Sequence, residues 1–294
     1  MATYQTKQSL EQHNLAPHKR FGQNFLVNPK TSEAIVGYGD ISKNDTIVEV
    51  GVGLGALTGP LSHKAGRVIG IEIDSGLIRY HQQEKILNNN VTLIHGDILK
   101  YDFHELHATC KGPLKIMANL PYSISNPFIF RLIEHREYID WVVVMLQKEV
   151  ALRLMAQPST KEYGIPTILL NAYANIDKLM VIKPHEFHPQ PKIDSMVIRI
   201  NFKEKNHTPS VESSFDHVLF QQVVRTALSK RRKTLLNNIS GAGFLTHRLD
   251  KQRAKKTGTQ IIEAAGLNPQ DRAENLSLQD FYSLTREAAK ILKK

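Results

Sequence analysis

A strand that runs directly into a glycine-rich turn constrains the fold of this chain more than any other feature. Residues 46–50 form a β-branched run, and Gly51, Gly53 and Gly55 follow at once. Glycine lets a backbone approach a nucleotide closely, and the N-terminus of the helix expected after the turn favours polar or anionic groups. The pattern therefore indicates a nucleotide-binding α/β sheet, although a simple tight turn also uses such glycines.

Strands and helices alternate through the first part of the chain. Four more apolar or β-branched runs predict strands, at residues 67–73, 91–94, 115–118 and 141–146. Helical spacing lies between them, for example at residues 77–87 and 127–134, which predicts a doubly wound parallel sheet. The last two predicted strands, at residues 179–183 and 196–202, have no helix between them. We therefore expect a seven-stranded, mostly parallel sheet with an antiparallel edge.

A change in composition after residue 202 divides the chain into two predicted domains. Residues 203–214 are polar and turn-rich, which is typical of a linker, and helical spacing dominates afterwards. We therefore expect an α/β domain at residues 1–202 and a small all-helical domain at residues 203–294.

Positive charge is concentrated in the second predicted domain. The net charge of the whole chain is +10, of which residues 203–294 carry +8. This asymmetry favours a polyanionic partner, either nucleic acid or a membrane surface, over a merely solvated basic face. The basic residues that we expect to contact phosphate are Arg225, Lys230, Arg231, Arg232 and Lys233. Arg225 and Arg232 are one heptad apart, which predicts that they share a helical face.

Composition excludes several classes of protein. The chain is 41% apolar and 22% charged, which is ordinary for a globular protein, and no apolar run is long enough to span a bilayer. Residues 1–17 lack the apolar core of a secretory signal. Cys110 is the only cysteine, and no zinc-binding motif occurs among the 13 histidines. We expect a cytoplasmic protein with no disulfide and no bound metal. Of the two polyanionic partners we favour nucleic acid, and we expect no membrane partner.

Two acidic residues follow later strands and suit a nucleoside. Glu72 lies 21 residues after Gly51, at the end of the next predicted strand, where a carboxylate can accept both hydroxyl protons of a ribose. Asp97 ends the third strand and could accept the amino protons of an adenine, although an aspartate there is at least as often a helix cap. The glycine pattern also fits NAD, so a dehydrogenase remains an alternative at this point.

The loop after the fourth predicted strand suits transfer of a methyl group to an adenine amine. Its residues are Asn119, Leu120, Pro121 and Tyr122. Because the N6 lone pair of adenine is delocalised into the ring, the nitrogen is a poor nucleophile. The side-chain oxygen of Asn119 and a nearby backbone carbonyl can accept the two amine hydrogens and free that lone pair. Pro121 stiffens the loop, and Tyr122 offers a face on which an extruded base can stack.

Several motifs together resemble the ribosomal RNA adenine N6-dimethyltransferase family. They lie at residues 22–26, 51–55, 119–122, 146–149, 187–195, 231–234 and 272–276, and the likeness extends from about residue 19 to residue 285. Erythromycin-resistance (Erm) methyltransferases share the motifs of the first domain but usually lack the last two. Two departures concern loop detail: Val52 replaces a common proline, and residues 123–126 read Ser-Ile-Ser-Asn instead of Asn-Ile-Ser-Thr.

The resemblance implies a Rossmann-like class I methyltransferase that uses S-adenosylmethionine. The implied cofactor-binding residues are Asn24 and Leu26 over the cofactor, Gly51 under its amino-acid end, Glu72 at its ribose, Asp97 at its adenine, Asn119 between cofactor and base, and Gly53 and Ile98 without an assigned role. The implied base-binding residues are Asn119, Leu120, Pro121, Tyr122 and Phe187, the last closing the pocket from the other side.

The resemblance also implies a substrate. The family dimethylates two adjacent adenosines in a hairpin near the 3′ end of small-subunit rRNA, so the implied partner is that rRNA within an immature small ribosomal subunit. The implied oligomeric state is a monomer. Two alternatives remain: an Erm-like enzyme that modifies large-subunit rRNA, and a ribosome-assembly factor that acts mainly by binding.

Overall fold

The computed structural model describes residues 23–203, 215–247 and 249–292. The chain divides into two compact units, residues 1–151 with 174–202, and residues 152–173 with 203–294. Residues 152–173, which the sequence places in the first domain, thus group with the helical unit. Their bonds explain this: the Tyr163 hydroxyl donates to the Leu276 carbonyl oxygen (2.9 Å), and the Tyr173 hydroxyl lies 3.2 Å from Nδ1 of His217. The expected linker lies, apart from Lys203, outside the described residues.

A seven-stranded sheet forms the framework of the first unit. Its strands are β2 (Thr46–Val50), β3 (Arg67–Glu72), β4 (Val91–His95), β5 (Leu114–Asn119), β6 (Ile139–Gln147), β7 (Ala174–Ile182) and β9 (Ser195–Phe202). Their order across the sheet is β4-β3-β2-β5-β6-β9-β7. The first five pair in parallel, whereas β9 is antiparallel to both β6 and β7. The predicted mostly parallel sheet with an antiparallel edge is therefore confirmed.

Helices and a short ladder complete the first unit. The helices are α1 (Pro29–Gly37), α2 (Thr58–Lys64), α3 (Ser75–Glu84), α4 (Phe103–Cys110) and α5 (Ser125–Glu134), and α6 (Lys148–Leu154) runs into the second unit. Asp74 and Asp102 cap α3 and α4 by accepting bonds from backbone N–H groups of the first turns. Two two-residue strands, β1 (Phe25–Leu26) and β8 (Phe187–His188), pair antiparallel.

Burial explains why most strands could be recognised from sequence. All residues of β6 except Asp140 and Gln147 are buried, as expected of a strand with other strands on both sides and covered faces. Burying one large aliphatic side chain contributes about 1.5 to 3 kcal/mol, so such a run strongly favours the sheet. The edge strand β7 begins at residue 174, five residues before its predicted start, because the exposed polar residues Asn175, Asp177 and Lys178 give a weak strand signal.

The second unit is helical. Its helices are α7 (Ile165–Tyr173), α8 (His217–Ala227), α9 (Leu235–Ile239), α10 (Gly243–Thr246), α11 (Lys251–Ala264) and α12 (Leu278–Leu292). Ser277 and Asp280 form a reciprocal cap, since the Ser277 N–H donates to the Asp280 carboxylate (2.8 Å) and the Asp280 N–H donates to the Ser277 hydroxyl (3.2 Å). Among the described residues, no helix has the length and apolar character needed to cross a membrane.

One predicted feature of this unit is wrong. Helix α8 ends at Ala227, and residues 230–233 form turns before α9. Arg225 and Arg232 therefore do not share a helical face. A spacing of seven residues places two side chains on one face only within a continuous helix, and α8 ends between Arg225 and Arg232.

Candidate active site

A cleft of about 280 Å³ opens at the carboxyl ends of β2, β3, β4 and β5. Strands β2 and β5 are neighbours there, and the strand order proceeds outward from them in opposite directions, which is where open α/β sheets bind ligands. Eleven of the twelve residues predicted to bind the cofactor or the base line it: Asn24, Leu26, Gly51, Gly53, Glu72, Asp97, Ile98, Asn119, Leu120, Pro121 and Tyr122. The exception is Phe187.

The glycine turn borders the cleft with a backbone that other residues rarely adopt. Gly51 and Gly53 have φ angles of +78° and +57°. A Cβ atom on Gly51 would lie 3.3 Å from the Asn119 carbonyl oxygen, and one on Gly53 would lie 3.3 Å from the Phe25 ring. Glycine is therefore required here both by the left-handed conformation and by close neighbours.

The Glu72 carboxylate anchors this turn while it lines the cleft. One oxygen accepts from the Gly53 N–H (3.0 Å) and the other from the Asp74 N–H (2.9 Å). Burial raises the pKa of Glu72, and these two hydrogen bonds oppose the rise. Each carboxylate oxygen keeps a second lone pair, so the side chain can still accept protons from the hydroxyl groups of a ribose.

Asp97 lies where both of its predicted roles are possible, and its contact with a cofactor adenine stays a prediction. It borders the cleft, and one carboxylate oxygen accepts from the Leu99 N–H (3.0 Å), as in an ordinary turn cap. The other oxygen lies 4.0 Å from the Lys100 ammonium, whose side chain is 86% exposed. Local capping thus orients the Asp97 carboxylate without using all of its acceptor capacity.

The loop after β5 is held at both ends. The Asn119 amide nitrogen donates 3.4 Å to the Asn24 carbonyl oxygen, which ties the loop to the N-terminal segment. This orientation leaves the amide oxygen of Asn119 available to accept a hydrogen from a ligand. The Pro121 carbonyl oxygen accepts from the Ile124 N–H (3.1 Å), which closes a short helical turn at residues Tyr122–Ile124.

Tyr122 and Phe187 differ in their access to the cleft. Tyr122 is half-buried, and its hydroxyl lies 2.8 Å from the hydroxyl of Ser195, a fully buried residue. Burial raises the pKa of Tyr122, so the phenol stays protonated at neutral pH. The Phe187 ring is 1% exposed and packs in the core of the first unit. Contact of Phe187 with a base would require movement of the ring or its neighbours, and its role stays a prediction.

Glu49 lines the cleft but was missed in the sequence. It is 1% exposed, and among the described residues neither carboxylate oxygen has a hydrogen-bond partner. Burial, reinforced by the nearby Glu72 carboxylate, raises the pKa of Glu49 to about 8, and polar interaction with Thr58 opposes this rise only in part. The available signal was an acidic residue in the middle of the apolar run 46–50. A buried carboxyl without a partner suits a cationic ligand group.

His81 was also missed, and it supports the glycine turn from α3. Its Nε2 atom lies 2.8 Å from the Gly53 carbonyl oxygen, and the ring is 2% exposed. Burial lowers the pKa of His81, so the ring is neutral near pH 7 and its Nε2–H donates to the carbonyl. Gly53 is thus held through its N–H by Glu72 and through its carbonyl by His81. One isolated histidine in a helix gives no such signal in sequence.

The five residues predicted to contact phosphate are all exposed, and Arg231 among them also has structural partners. The Arg231 guanidinium donates to the carbonyl oxygens of Lys161 (2.8 Å) and Tyr163 (2.6 Å) and lies 3.4 Å from the Glu274 carboxylate. Arg231 therefore ties residues 152–173 to the C-terminal helices within the second unit. In the part of the chain that the structure describes, no cluster of three or more metal-ligating side chains occurs.

Comparison with known proteins identifies the family. The model of the ribosomal RNA adenine dimethylase family matches residues 14–290. The chain belongs to this family. It is 53% identical to the ribosomal RNA small subunit methyltransferase A of Desulfotalea psychrophila over 287 residues, which cover 97% of this chain and 96% of the relative. The protein of the same name from Clostridium acetobutylicum is 39% identical over 98% of this chain and 99% of the relative.

Solved structures agree with this family assignment. A dimethyladenosine transferase from Plasmodium falciparum superposes with a TM-score of 0.73 at 29% identity, over 90% of this chain and 96% of the other. The 23S rRNA methyltransferase ErmE superposes with a TM-score of 0.61 at 18% identity, over 90% of this chain and 100% of the other, which shows a shared fold.

Membership of the ribosomal RNA adenine dimethylases confirms the expected class I methyltransferase fold, the enzyme class and S-adenosylmethionine as cofactor. It also confirms the expected resemblance, here to KsgA, the small-subunit rRNA dimethyltransferase, and it excludes the dehydrogenase alternative. The described residues fit the cofactor: the buried, unpartnered Glu49 carboxyl suits a cationic group, and Glu72 suits ribose hydroxyl groups.

Proposed function

We propose that this dimethylase converts two adjacent adenosines in the 3′-terminal hairpin of small-subunit rRNA to N6,N6-dimethyladenosine, within an immature subunit and as a cytoplasmic monomer. The observation that carries the proposal is the loop of residues 119–122, which lines the cleft at the end of β5. The names of the relatives support the choice of subunit, as do the motifs at residues 231–234 and 272–276.

Asn119 activates the target amine in this proposal. Its amide oxygen and the neighbouring Leu120 carbonyl accept the two N6 hydrogens of an extruded adenine, which draws the nitrogen toward tetrahedral geometry and frees its lone pair. Tyr122 stacks on the base and holds it in place. Orientation of the two reactants then supplies most of the rate acceleration. Because the alkylated nitrogen is acidic, no side chain has to act as a strong base.

The glycine turn and two acidic residues bind the cofactor in this proposal. S-adenosylmethionine, when bound, supplies a methyl group on a sulfonium sulfur. Gly51 and Gly53 allow close approach of the backbone, Glu72 accepts from the ribose hydroxyl groups and Asp97 accepts from the adenine amine. Asn24, Leu26 and Ile98 line the same cleft and complete the set.

Nucleoside mass spectrometry tests this function. Small and large ribosomal subunits from a strain that lacks adenine dimethylation are incubated with the protein and S-adenosylmethionine. We expect N6,N6-dimethyladenosine from small subunits only, and none with Asn119→Ala. The matched control is Asn175→Ala, because Asn175 is exposed on β7 and does not line the cleft.

The other outcomes are equally informative. Product from large-subunit rRNA alone would assign an Erm-like activity. Absence of product on either subunit, with tight binding to small subunits retained, would indicate an assembly factor and would refute the roles of Asn119 and Tyr122.

A further inference from the structure

Helix α11 carries an unusual concentration of positive charge in its N-terminal half. Lys251, Arg253, Lys255 and Lys256 are all exposed, and the first turn contains no acidic residue. Arg253 lies 3.5 Å from the carboxylate of the N-cap, Asp250. The three lysines have no ionic partner among the described residues. These four residues form the α11 basic surface.

This arrangement opposes the stability of the helix. The N-terminus of a helix carries a partial positive charge, so cations in the first two turns are unfavourable there. Lys251 and Lys255 are four residues apart, a spacing at which like charges repel. The one carboxylate of the helix, Glu263, lies near the C-terminus, where the helix dipole disfavours a negative charge. Helix stability therefore gives no reason for this charge pattern.

Packing fixes which side of α11 remains outside. Ala254, Gly258, Ile261 and Ile262 are buried along one face. Gly258 lies close to α9, since a Cβ atom on it would be 3.5 Å from the Leu236 side chain. Because α9 follows Lys233 almost directly, the α11 basic surface and residues 230–233 belong to neighbouring segments of the same unit.

We propose that the α11 basic surface binds the phosphate backbone of the rRNA substrate, in addition to the contacts predicted for residues 225 and 230–233. The first six residues of the helix span about 9 Å, so the four cations lie within a short length of the helix axis. Lysine is a flexible point charge, which suits sequence-independent contact with phosphates. This proposal rests on the proposed function, because it takes ribosomal RNA as the polyanion.

A triple substitution tests the α11 basic surface. Lys251→Gln/Lys255→Gln/Lys256→Gln is compared with wild type for binding to small subunits across a series of salt concentrations. We expect the slope of log affinity against log salt to become shallower by about 2, at roughly 0.7 for each neutralised phosphate. Arg253 is retained because it pairs with the helix cap.

A matched control separates local contact from loss of total charge. Lys30→Gln/Lys64→Gln/Lys178→Gln removes three exposed lysines from the first unit, and we expect the wild-type slope. The melting temperature of the α11 variant should equal or exceed that of wild type, since its lysines oppose the helix dipole. This result would show that weaker binding does not come from unfolding.

An unchanged salt slope in the α11 variant would overturn the proposal, as would an equal change in the control. A membrane result would also overturn it: wild type binds anionic phospholipid vesicles, the α11 variant loses that binding, and the variant keeps the wild-type salt slope on subunits. Failure of the proposed function has a different signature, because wild type would then not methylate small subunits, whether or not it binds them. Wild-type methylation with an unchanged variant slope would refute the α11 proposal alone.

Discussion

At the scale of single residues, the hydroxyl groups of Tyr122 and Ser195, 2.8 Å apart, set how the tyrosine ring faces the cleft. We expect Ser195→Ala and Tyr122→Phe each to lower kcat/KM about three- to tenfold, because a hydrogen bond of this kind is worth about 0.5 to 1.5 kcal/mol. If they act through the same bond, the double variant should lose no more than either single one. Steady-state kinetics on small subunits, with wild type, the two single variants and the double variant, measures this double-mutant cycle.

Ser283→Ala, on α12 and outside the cleft, is the matched control for that cycle. Additive losses in the double variant would show that Ser195 does not act through the tyrosine hydroxyl.

Glu49 makes stability depend on pH. Because its pKa is raised in the folded protein to about 8, its protonated form favours folding, and that contribution is present at low pH and is lost as the pH rises toward 8. We expect the unfolding free energy of the cofactor-free wild type, measured by urea denaturation, to fall relative to that of Glu49→Gln as the pH rises from 5 to 8. Gln83→Ala, at an exposed position without a titratable side chain, should show no such trend. If the difference in unfolding free energy between wild type and Glu49→Gln did not change with pH, the raised pKa of the buried Glu49 carboxyl would be contradicted.

At the scale of elements, the glycine turn determines cofactor affinity through its backbone. We expect Gly53→Ala to weaken S-adenosylmethionine binding about tenfold, because the left-handed conformation of a non-glycine residue costs about 1 to 3 kcal/mol and the new methyl group meets the Phe25 ring. Isothermal titration calorimetry measures the change. Gly59→Ala is the control, since no atom lies within 4 Å of its Cβ position. Equal affinities in the two variants would contradict this account of the turn.

At the scale of the whole molecule, neighbouring arginines in residues 230–233 have different expected roles. Arg231→Ala should lower the unfolding free energy by about 1 to 2 kcal/mol, because it leaves the Lys161 and Tyr163 carbonyl oxygens without their donor. Arg232→Ala should leave stability unchanged and make the salt slope of binding shallower by roughly 0.7. Thermal melting and salt titration of the two variants distinguish these roles. Equal melting temperatures would refute the structural role of Arg231.

The sequence by itself determined the strand–turn–helix framework and most of the cleft. The apolar runs and the glycines of residues 46–55 are local signals, and the rule that ligands bind at the carboxyl ends of parallel strands brings Glu72, Asp97 and Asn119 together. Family resemblance added Asn24 and Leu26, which no local pattern selects.

Only the tertiary structure decided the features that depend on distant partners. The Ser195 hydroxyl meets Tyr122 across 73 positions of sequence, and His81 meets Gly53 across 28. The grouping of residues 152–173 with the C-terminal helices, the burial of Phe187 and the structural bonds of Arg231 have the same origin. Periodicity and composition describe neighbours along the chain, whereas these contacts depend on how separate elements pack, and that arrangement minimises the free energy of the whole fold.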